Sequence, residues 1–336
     1  MDDVASVENL FRAARKARLG KSRRPDVEQW WMARETEIVK LRRELLCGSY
    51  EPGGYRFFEI VHPKRRLIAA APFGDRVVHH ALCNFLAPVL ERRFIARSFS
   101  CQVGKGTTSA RECCRRLANR HRWVLKCDVA KFFPSIDHAV LLEKLKGMIR
   151  CRGVLDLCAL IVASHRTPDR ERPCGLPIGN LTSQLWGNFY LDALDHTLTE
   201  SERHGAYLRY TDDFLLFGDD NARLRALEER IREELAAIRL RLAEPKSRML
   251  ACREGVPFCG FRFLPGKQPR VLGPTKRRFE RRRATLFKTG APPAEITRGV
   301  FAWYQFSREA NSEGLRRAYS QWSLDPAKRV AKTRNE

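Results

Sequence analysis

The 336-residue sequence predicts an α/β or α+β core followed by a basic helical appendage. Three observations carry that prediction. Short apolar runs suited to strands alternate with longer amphipathic runs. The formal net charge is +24, from 63 Lys and Arg against 39 Asp and Glu. Half of that excess lies in the last quarter, where 18 basic residues stand against 6 acids from Phe261 to Glu336. With 43% hydrophobic residues the chain can bury a real core. Charge of this size points to a polyanionic partner, and the aromatics among the basic residues favour nucleic acid over an anionic membrane surface. No apolar run approaches the ~20 residues of a membrane helix. The N-terminus has no signal-type apolar core, and 11 cysteines without a C-x-x-C pair suit reduced thiols in a cytoplasm.

Taken in order, residues 1–50 read as helical, with "VEQWWMARETEIVKLRRELLCG" ending at a glycine. "YRFFEIVHPKRRLIAAAP" predicts two short strands around a basic turn, and "GDRVVHHALCNFLAPVLERRF" a helix. "SFSCQVGKGTTSARECCRRLANR" reads as a loop running into another helix. "WVLKCDVAKFFPSI" starts as a buried strand and is expected to bend at Pro134. Helices follow in "DHAVLLEKLKGMI" and "VLDLCALIVAS". A loop, "RERPCGLPIGNLTSQ", leads to one long helix, "LWGNFYLDALDHTLTESE". "AYLRY" and "FLLFG" form a hairpin about Thr211-Asp212-Asp213, followed by a helix to about Ala243. Short strands in "MLACREGVPFCGFRFLP" precede the basic helical remainder.

Two adjacent aspartate pairs lie seven residues apart in "RYTDDFLLFGDD". For Asp219-Asp220, before "NARLRALEERIREELAAI", a helix N-cap and the helix dipole suffice. A turn alone would also explain Asp212-Asp213, but a third acid changes the weighing. Asp128 ends the apolar run "WVLKCD", where a carboxylate is costly unless a cation pairs with it. Nucleotidyl transfer supplies such cations. Two Mg²⁺ ions about 3.5–4 Å apart activate the attacking hydroxyl and neutralise the leaving group. Carboxylates on rigid strands hold these hard ions while leaving positions open.

The ordered motifs resemble the reverse transcriptases. Tyr210-Thr211-Asp212-Asp213 matches their Y-x-D-D box, and "CDVAKFFPSIDH" their first carboxylate motif. "GLPIGNLTSQLWGNFYLDALD", "LAEPKSRML" and "FCGFRF" resemble three later palm blocks. "HPKRRLIAAAPFGDRVVHHAL" and "SFSCQVGKGTTSA" resemble the two fingers blocks. The set is in family order from about Tyr55 to Leu264. It implies a right-hand polymerase fold of class α+β, with fingers, an antiparallel palm sheet with helices, and a small basic helical thumb. The implied division is an N-terminal helical extension (1–50), fingers (51–127), palm (128–265) and thumb (266–336).

The fourth block narrows the resemblance. Ile178-Gly179-Asn180-Leu181-Thr182-Ser183-Gln184 replaces the usual Q-G-x-x-x-S-P, which is the pattern of diversity-generating retroelement reverse transcriptases of bacteria and phages. The compact length, ending after a basic thumb, also fits that group. The resemblance implies an enzyme that copies a template-repeat RNA into cDNA with misincorporation opposite adenines. Its implied partners are structured template RNA, the cDNA/RNA duplex, dNTPs and an oligomeric, small, basic helical-bundle accessory variability protein, with no membrane. It implies Mg²⁺ (two ions), with Mn²⁺ as an alternative. Asp128, Asp212, Asp213 and the backbone of Val129 are the implied metal ligands, the three aspartates being catalytic. Retron-like or defence-associated enzymes are the alternative within the class, although "NARLR" lacks the retron histidine. A catalytically silent RNA-binding protein on the same scaffold is the alternative outside it.

The remaining candidates follow from charge or from motif position. Lys64 and Arg66 are expected to grip the incoming triphosphate, because a polyanionic nucleotide needs several cations; this reading is preferred to the alternative, a solvated basic turn. Backbone amides at Lys131 and Phe132 are placed beside its phosphates, and Gly179 and Gln184 in the nucleotide site. Phe133 is either core or the ring that blocks a ribose 2′-hydroxyl. Lys246 either protonates departing pyrophosphate or caps the preceding helix. Ile178 is assigned to fidelity. Tyr210 and Arg277, Arg278, Arg281, Arg282 and Arg283 are assigned to nucleic-acid binding. Asp137 and Asp192 read as capping or solvated acids, and His79-His80 as fingers-helix residues without ligand spacing. Trp303, Tyr304 and Trp322 read as thumb core.

Overall fold

The computed structural model describes residues 1–60, 65–168, 170–244 and 246–321. Four helices open the chain: α1 (Asp2–Ala5), α2 (Val7–Arg18), α3 (Pro25–Met32) and α4 (Arg34–Cys47). Ser6 caps α2 by accepting from the Asn9 amide, and Gly48 closes α4 in the left-handed region, φ 71°. The hairpin β1 (Arg56–Ile60) and β2 (Arg66–Ala70) precedes α5 (Phe73–Leu90) and α6 (Thr107–Arg120). Leu10, Ala13 and Ala14 of α2 share one hydrophobic cluster with Val77, Val78 and Leu82 of α5 and with the central sheet. The opening helices are therefore part of the main core.

The centre begins with β3 (Trp123–Asp128), α7 (Phe132–Ser135), α8 (His138–Lys146) and α9 (Arg152–Ala163). The chain turns after β3 at Lys131, which is left-handed with φ 46°. Pro134 does not make the bend. It sits inside the single turn of α7, where a missing amide hydrogen is tolerated. The predicted long helix is displaced and broken. It starts earlier, as α10 (Leu181–Tyr190), continues as α11 (Asp192–His196), and ends in a π-helical turn, Thr197–Ser201. Gly179 (φ 116°) ends the preceding loop, so Gln184 lies in a helix.

The hairpin β4 (Tyr207–Tyr210) and β5 (Asp213–Gly218) leads to α12 (Asn221–Ala237) and β6 (Arg248–Ala251). Helix α12 ends six residues before Ala243. Arg239 takes φ 60°, and residues 241–243 then bond the chain after β3: Ala130 N–H donates to the Arg241 carbonyl (2.9 Å) and Ala243 N–H to the Asp128 carbonyl (2.7 Å). Tertiary pairing there outweighs local helix propensity. The central sheet is antiparallel, in the order β4-β5-β3-β6.

A second sheet joins β7 (Val256–Phe258), β8 (Phe261–Phe263) and β9 (Arg270–Val271). Helices α13 (Gly273–Lys288), α14 (Pro293–Ser307) and α15 (Glu313–Gln321) complete the described chain. Trp303 is buried and stacks on Phe279, centroids 4.4 Å apart, as thumb core. Tyr304 is instead 40% exposed, one residue further round the helix on the solvent side. Trp322 lies outside the described residues. No described helix is long and apolar enough to cross a membrane.

Candidate active site

Strand alternation assembles the site. Asp128 pairs in register with Asp213 across β3 and β5, and Tyr210 pairs with Asp213 across β4 and β5. Leu125, Cys127, Phe214 and Leu216 face the main core, whereas Val124, Leu215 and Phe217 face the smaller cluster formed with α6, β7 and β8. Successive side chains point to opposite faces, so Lys126, Asp128 and Asp213 share the second face. Asp213 is the first residue of β5, which leaves Thr211 and Asp212 as a two-residue turn. Thr211 holds φ 58°, and its hydroxyl donates to Ser100 Oγ at 2.6 Å. The Val129 amide donates to the Asp212 carbonyl at 3.2 Å, tying the end of β3 to that turn.

The three carboxylates meet at one end of the sheet. Burial raises the Asp212 carboxyl above the usual range, and the charge of Asp128 raises it further. Burial also raises Asp213, against the opposing pull of Lys126. Lys126 Nζ pairs with Asp213, and Lys246 Nζ pairs with Asp128. Among the described residues no three His, Cys, Asp or Glu side chains are gathered so as to hold a metal ion. The two lysines supply the neutralising charge instead. The donor set nevertheless suits a hard divalent cation: oxygen ligands only, mutually repelling, and beside the buried Val129, whose carbonyl accepts no hydrogen bond among the described residues.

Sequence reasoning passed over two parts of this site. Lys126 is one; its signal was a lone cation inside an apolar strand. The other is Arg209, fully buried beneath the hairpin with Asp195. Its Nε donates to Asp195 Oδ1 at 2.8 Å, and its Nη1 to Asn188 Oδ1 at 3.0 Å and to the Thr211 carbonyl at 3.1 Å. Tyr207 donates to the same Asp195 at 2.6 Å. A buried ion pair with every lone pair engaged tolerates its desolvation, and here it anchors the strained Thr211. The cue was an arginine in the apolar run "AYLRY".

The other candidates divide. Lys64 lies outside the described residues. Arg66 is exposed at the start of β2, while its neighbour Arg65 is engaged by Glu59 at 2.8 Å. The amides of Lys131, the N-cap of α7, and Phe132, its first residue, have no intrahelical partner. Phe132 is buried; Phe133 is half-buried and packs on Gly187, whose added Cβ would lie 3.1 Å from its ring. The Ile178 carbonyl accepts from the Ala69 amide at 3.3 Å, and a Cβ on Gly179 would meet Ile68 at 3.2 Å, so this block lies against β2. Gln184 is exposed and lines a hollow with residues of α2 and α5, which none of the three aspartates lines. Lys246 does not cap a helix, because α12 has already ended.

Several acids also differ from expectation. Asp137 caps α8 through the Val140 amide (3.1 Å), but it is buried, not solvated, between Arg172 and Arg239, each at 2.9 Å. Asp192 is buried too, at 3.1 Å from Arg93. Asp220 alone is the N-cap of α12, accepting from the Ala222 amide at 2.8 Å. Asp219 accepts from the Arg122 amide at 2.8 Å, joining the far end of β5 to the start of β3. His79 is buried in α5, and burial pushes it down to about 4. Tyr210 packs on the smaller cluster. On α13, Arg277, Arg278, Arg281 and Arg282 are exposed, but Arg283 is buried against the Tyr319 ring at 5.2 Å, because the helical period turns it inward.

Comparison with known proteins agrees with this geometry. YkfC of Escherichia coli (strain K12) is 26% identical over 271 residues, covering 68% of this chain and 71% of that protein. The group II intron-encoded protein LtrA of Lactococcus lactis subsp. cremoris is 24% identical over 167 residues, covering 48% of this chain but only 28% of its own length. A telomerase structure from Candida albicans, solved with a fragment of telomeric RNA, has the same fold at a TM-score of 0.50 and 12% identity, over 67% of this chain and 46% of that one. The model of the family described as reverse transcriptase (RNA-dependent DNA polymerase) matches residues 61–263, more than half of the chain. The chain belongs to the reverse transcriptase family.

Proposed function

We propose that this reverse transcriptase serves a diversity-generating retroelement, copying a template-repeat RNA into cDNA with errors opposite adenines. The observation that carries the reading is the block Ile178–Gln184, which lacks the usual leading glutamine and lies backbone-to-backbone against β2. Asp128, Asp212, Asp213 and the Val129 carbonyl are the groups to hold two Mg²⁺ ions, or Mn²⁺ in their place. When bound, such ions activate the primer hydroxyl and neutralise the leaving group. The chain's own residues do the rest. Arg209 and Asp195 hold the turn that presents Asp212. The first-turn amides of α7 and Lys246 face the phosphates, and Phe133 flanks the sugar. Arg277, Arg278, Arg281 and Arg282 meet the phosphodiester backbone of the RNA and the cDNA/RNA duplex. The accessory variability protein and a bacterial or phage-infected cytoplasm complete the proposal.

The test is substitution at position 178. A glutamine amide braces the backbone around a nascent pair, whereas isoleucine has no donor or acceptor. One hydrogen bond contributes about 0.5–1.5 kcal/mol, and about 1.4 kcal/mol of discrimination is tenfold in error rate. Ile178→Gln is expected to lower misincorporation opposite template adenines by up to about tenfold while extension persists. Sequencing cDNA made by both forms on one RNA reads this directly. An unchanged adenine error rate removes Ile178 from fidelity. The likeness to LtrA favours a second reading, an intron-type reverse transcriptase. A template repeat and a variable repeat differing at adenines in the flanking DNA would exclude it.

A further inference from the structure

Arg111, in the second turn of α6, is 8% exposed and meets two parts of the molecule that lie far along the chain. Its Nε donates to the Cys259 carbonyl at 3.2 Å, and its Nη1 to Glu309 Oε2 at 2.9 Å, 198 positions away in sequence. The guanidinium lies against the rings of Phe261 and Phe306, 4.4 and 4.9 Å from their centroids. A cation held against aromatic faces and out of water is attracted more strongly than an exposed one. Glu309, just beyond α14, is held a second time by the Thr108 hydroxyl, which donates to its Oε1 at 3.0 Å.

Each end of this contact leads to the polymerase machinery. Cys259 (φ 43°) and Gly260 (φ 86°) form the two-residue turn between β7 and β8, and both are left-handed, as such a turn requires. A Cβ on Gly260 would lie 2.9 Å from the Phe306 ring, so α14 packs directly on the turn. The same hairpin borders the catalytic face, because Lys126 Nζ, the partner of Asp213, lies 5.8 Å from the centroid of Phe258. On the other side, Trp303 of α14 stacks on Phe279 of α13, the helix that exposes Arg277, Arg278, Arg281 and Arg282. One guanidinium therefore joins the catalytic face to the basic thumb helix.

We propose that Arg111 is a positioning residue that docks the thumb on the palm and so sets how long the polymerase holds its RNA/DNA duplex. It acts through Glu309 and the turn, not on the reacting atoms. Without Glu309 the guanidinium is left unpaired among apolar rings, a costly state, so loss of either partner favours an undocked thumb. The role applies to whatever RNA is copied and is independent of the retroelement assignment.

The experiment follows release of a preformed RNA/DNA primer–template from the full chain into a heparin trap. In parallel, addition of one nucleotide is timed in a single turnover over a range of dNTP concentrations. Arg111→Met, which keeps an apolar stem between the rings, and Glu309→Ala should each speed release roughly tenfold and shorten the products of one binding event. The first-nucleotide rate and the KM for dNTP should match wild type, which a general loosening of the palm would not spare. Glu309→Gln can still hydrogen-bond Arg111 and Thr108 and should restore most of the grip. Thr108→Val, at an exposed position, should give a smaller acceleration, and it keeps the test decisive if Arg111→Met does not fold. Wild-type release in Glu309→Ala and Thr108→Val, whatever their melting temperatures, would overturn the proposal. A slowed first nucleotide with release unchanged would overturn it too. Because release is read on a preformed duplex, a wild type that fails to extend would count against the polymerase activity and leave the docking role standing.

Discussion

Asp212-Asp213 and Asp219-Asp220 bracket the same strand, β5, yet they experience opposite physics. At the first end burial and a facing carboxylate push the Asp212 carboxyl up, and a strained turn is pinned from below by a buried arginine. At the second end the Arg122 amide, outweighing a small burial cost, and His121 hold Asp219 below its usual range, while Asp220 caps a helix. Dipeptide identity is therefore uninformative. What separates the pairs is whether the fold supplies hydrogen-bond donors or repulsion. Repulsion of this kind, maintained at a structural cost, is where functional sites concentrate.

The comparison breaks most sharply on activity. Asp212→Asn should lower primer extension by on the order of 10²–10³-fold or more, with RNA binding retained, whereas Asp219→Asn should stay within about twofold, since asparagine still accepts from the Arg122 amide. Comparable losses in both variants would erase the distinction between the two ends. Next in size is the ion pair beneath each end. Arg209→Leu strands Asp195 in the core and should cost about 3–5 kcal/mol in denaturant unfolding. Arg223→Leu breaks the exposed Arg223–Glu202 pair (2.8 Å) and should cost below about 1 kcal/mol.

The same contrast of buried and exposed charge extends to the thumb. Reversing Arg277, Arg278 and Arg281 should flatten the log–log salt dependence of RNA binding by roughly 0.7–0.9 for each phosphate that is no longer neutralised. Arg283→Ala should leave that slope unchanged and lower stability instead, because its guanidinium lies over Tyr319 inside the bundle.

The smallest effect has a diagnostic sign. A carboxyl raised on folding destabilises the fold once ionised, and that cost grows as pH rises through its folded pKa. In EDTA at neutral pH, Asp212→Asn should therefore raise Tm, with the gain shrinking as acid protonates the wild-type group. Asp219 is lowered on folding, so its contribution is present above its unfolded pKa and fades as pH falls through the folded one. Asp219→Asn should lower Tm slightly at neutral pH, and the difference should vanish in acid. Melting curves of both variants across pH would show matching signs if the two ends were alike.

The sequence by itself determined what depends on local order and residue type. The ordered motifs with Asp128, Asp212 and Asp213, the strand alternation that gathers them, the opening helices and the basic last quarter were all legible, because periodicity and turn chemistry act over a few residues. The tertiary structure decided what depends on partners distant along the chain. It ended α12 at Ala237 so that residues 241–243 could pair beside β3, moved the bend from Pro134 to Lys131, and turned Arg283 inward. It also gave Asp213 to Lys126, Asp128 to Lys246 and Arg209 to Asp195, and drew Arg170, Arg239 and Arg241 into one cavity. The physical reason is range. A hydrogen bond or ion pair is made within a few ångströms of space, and no spacing in the chain encodes which distant residues will share it.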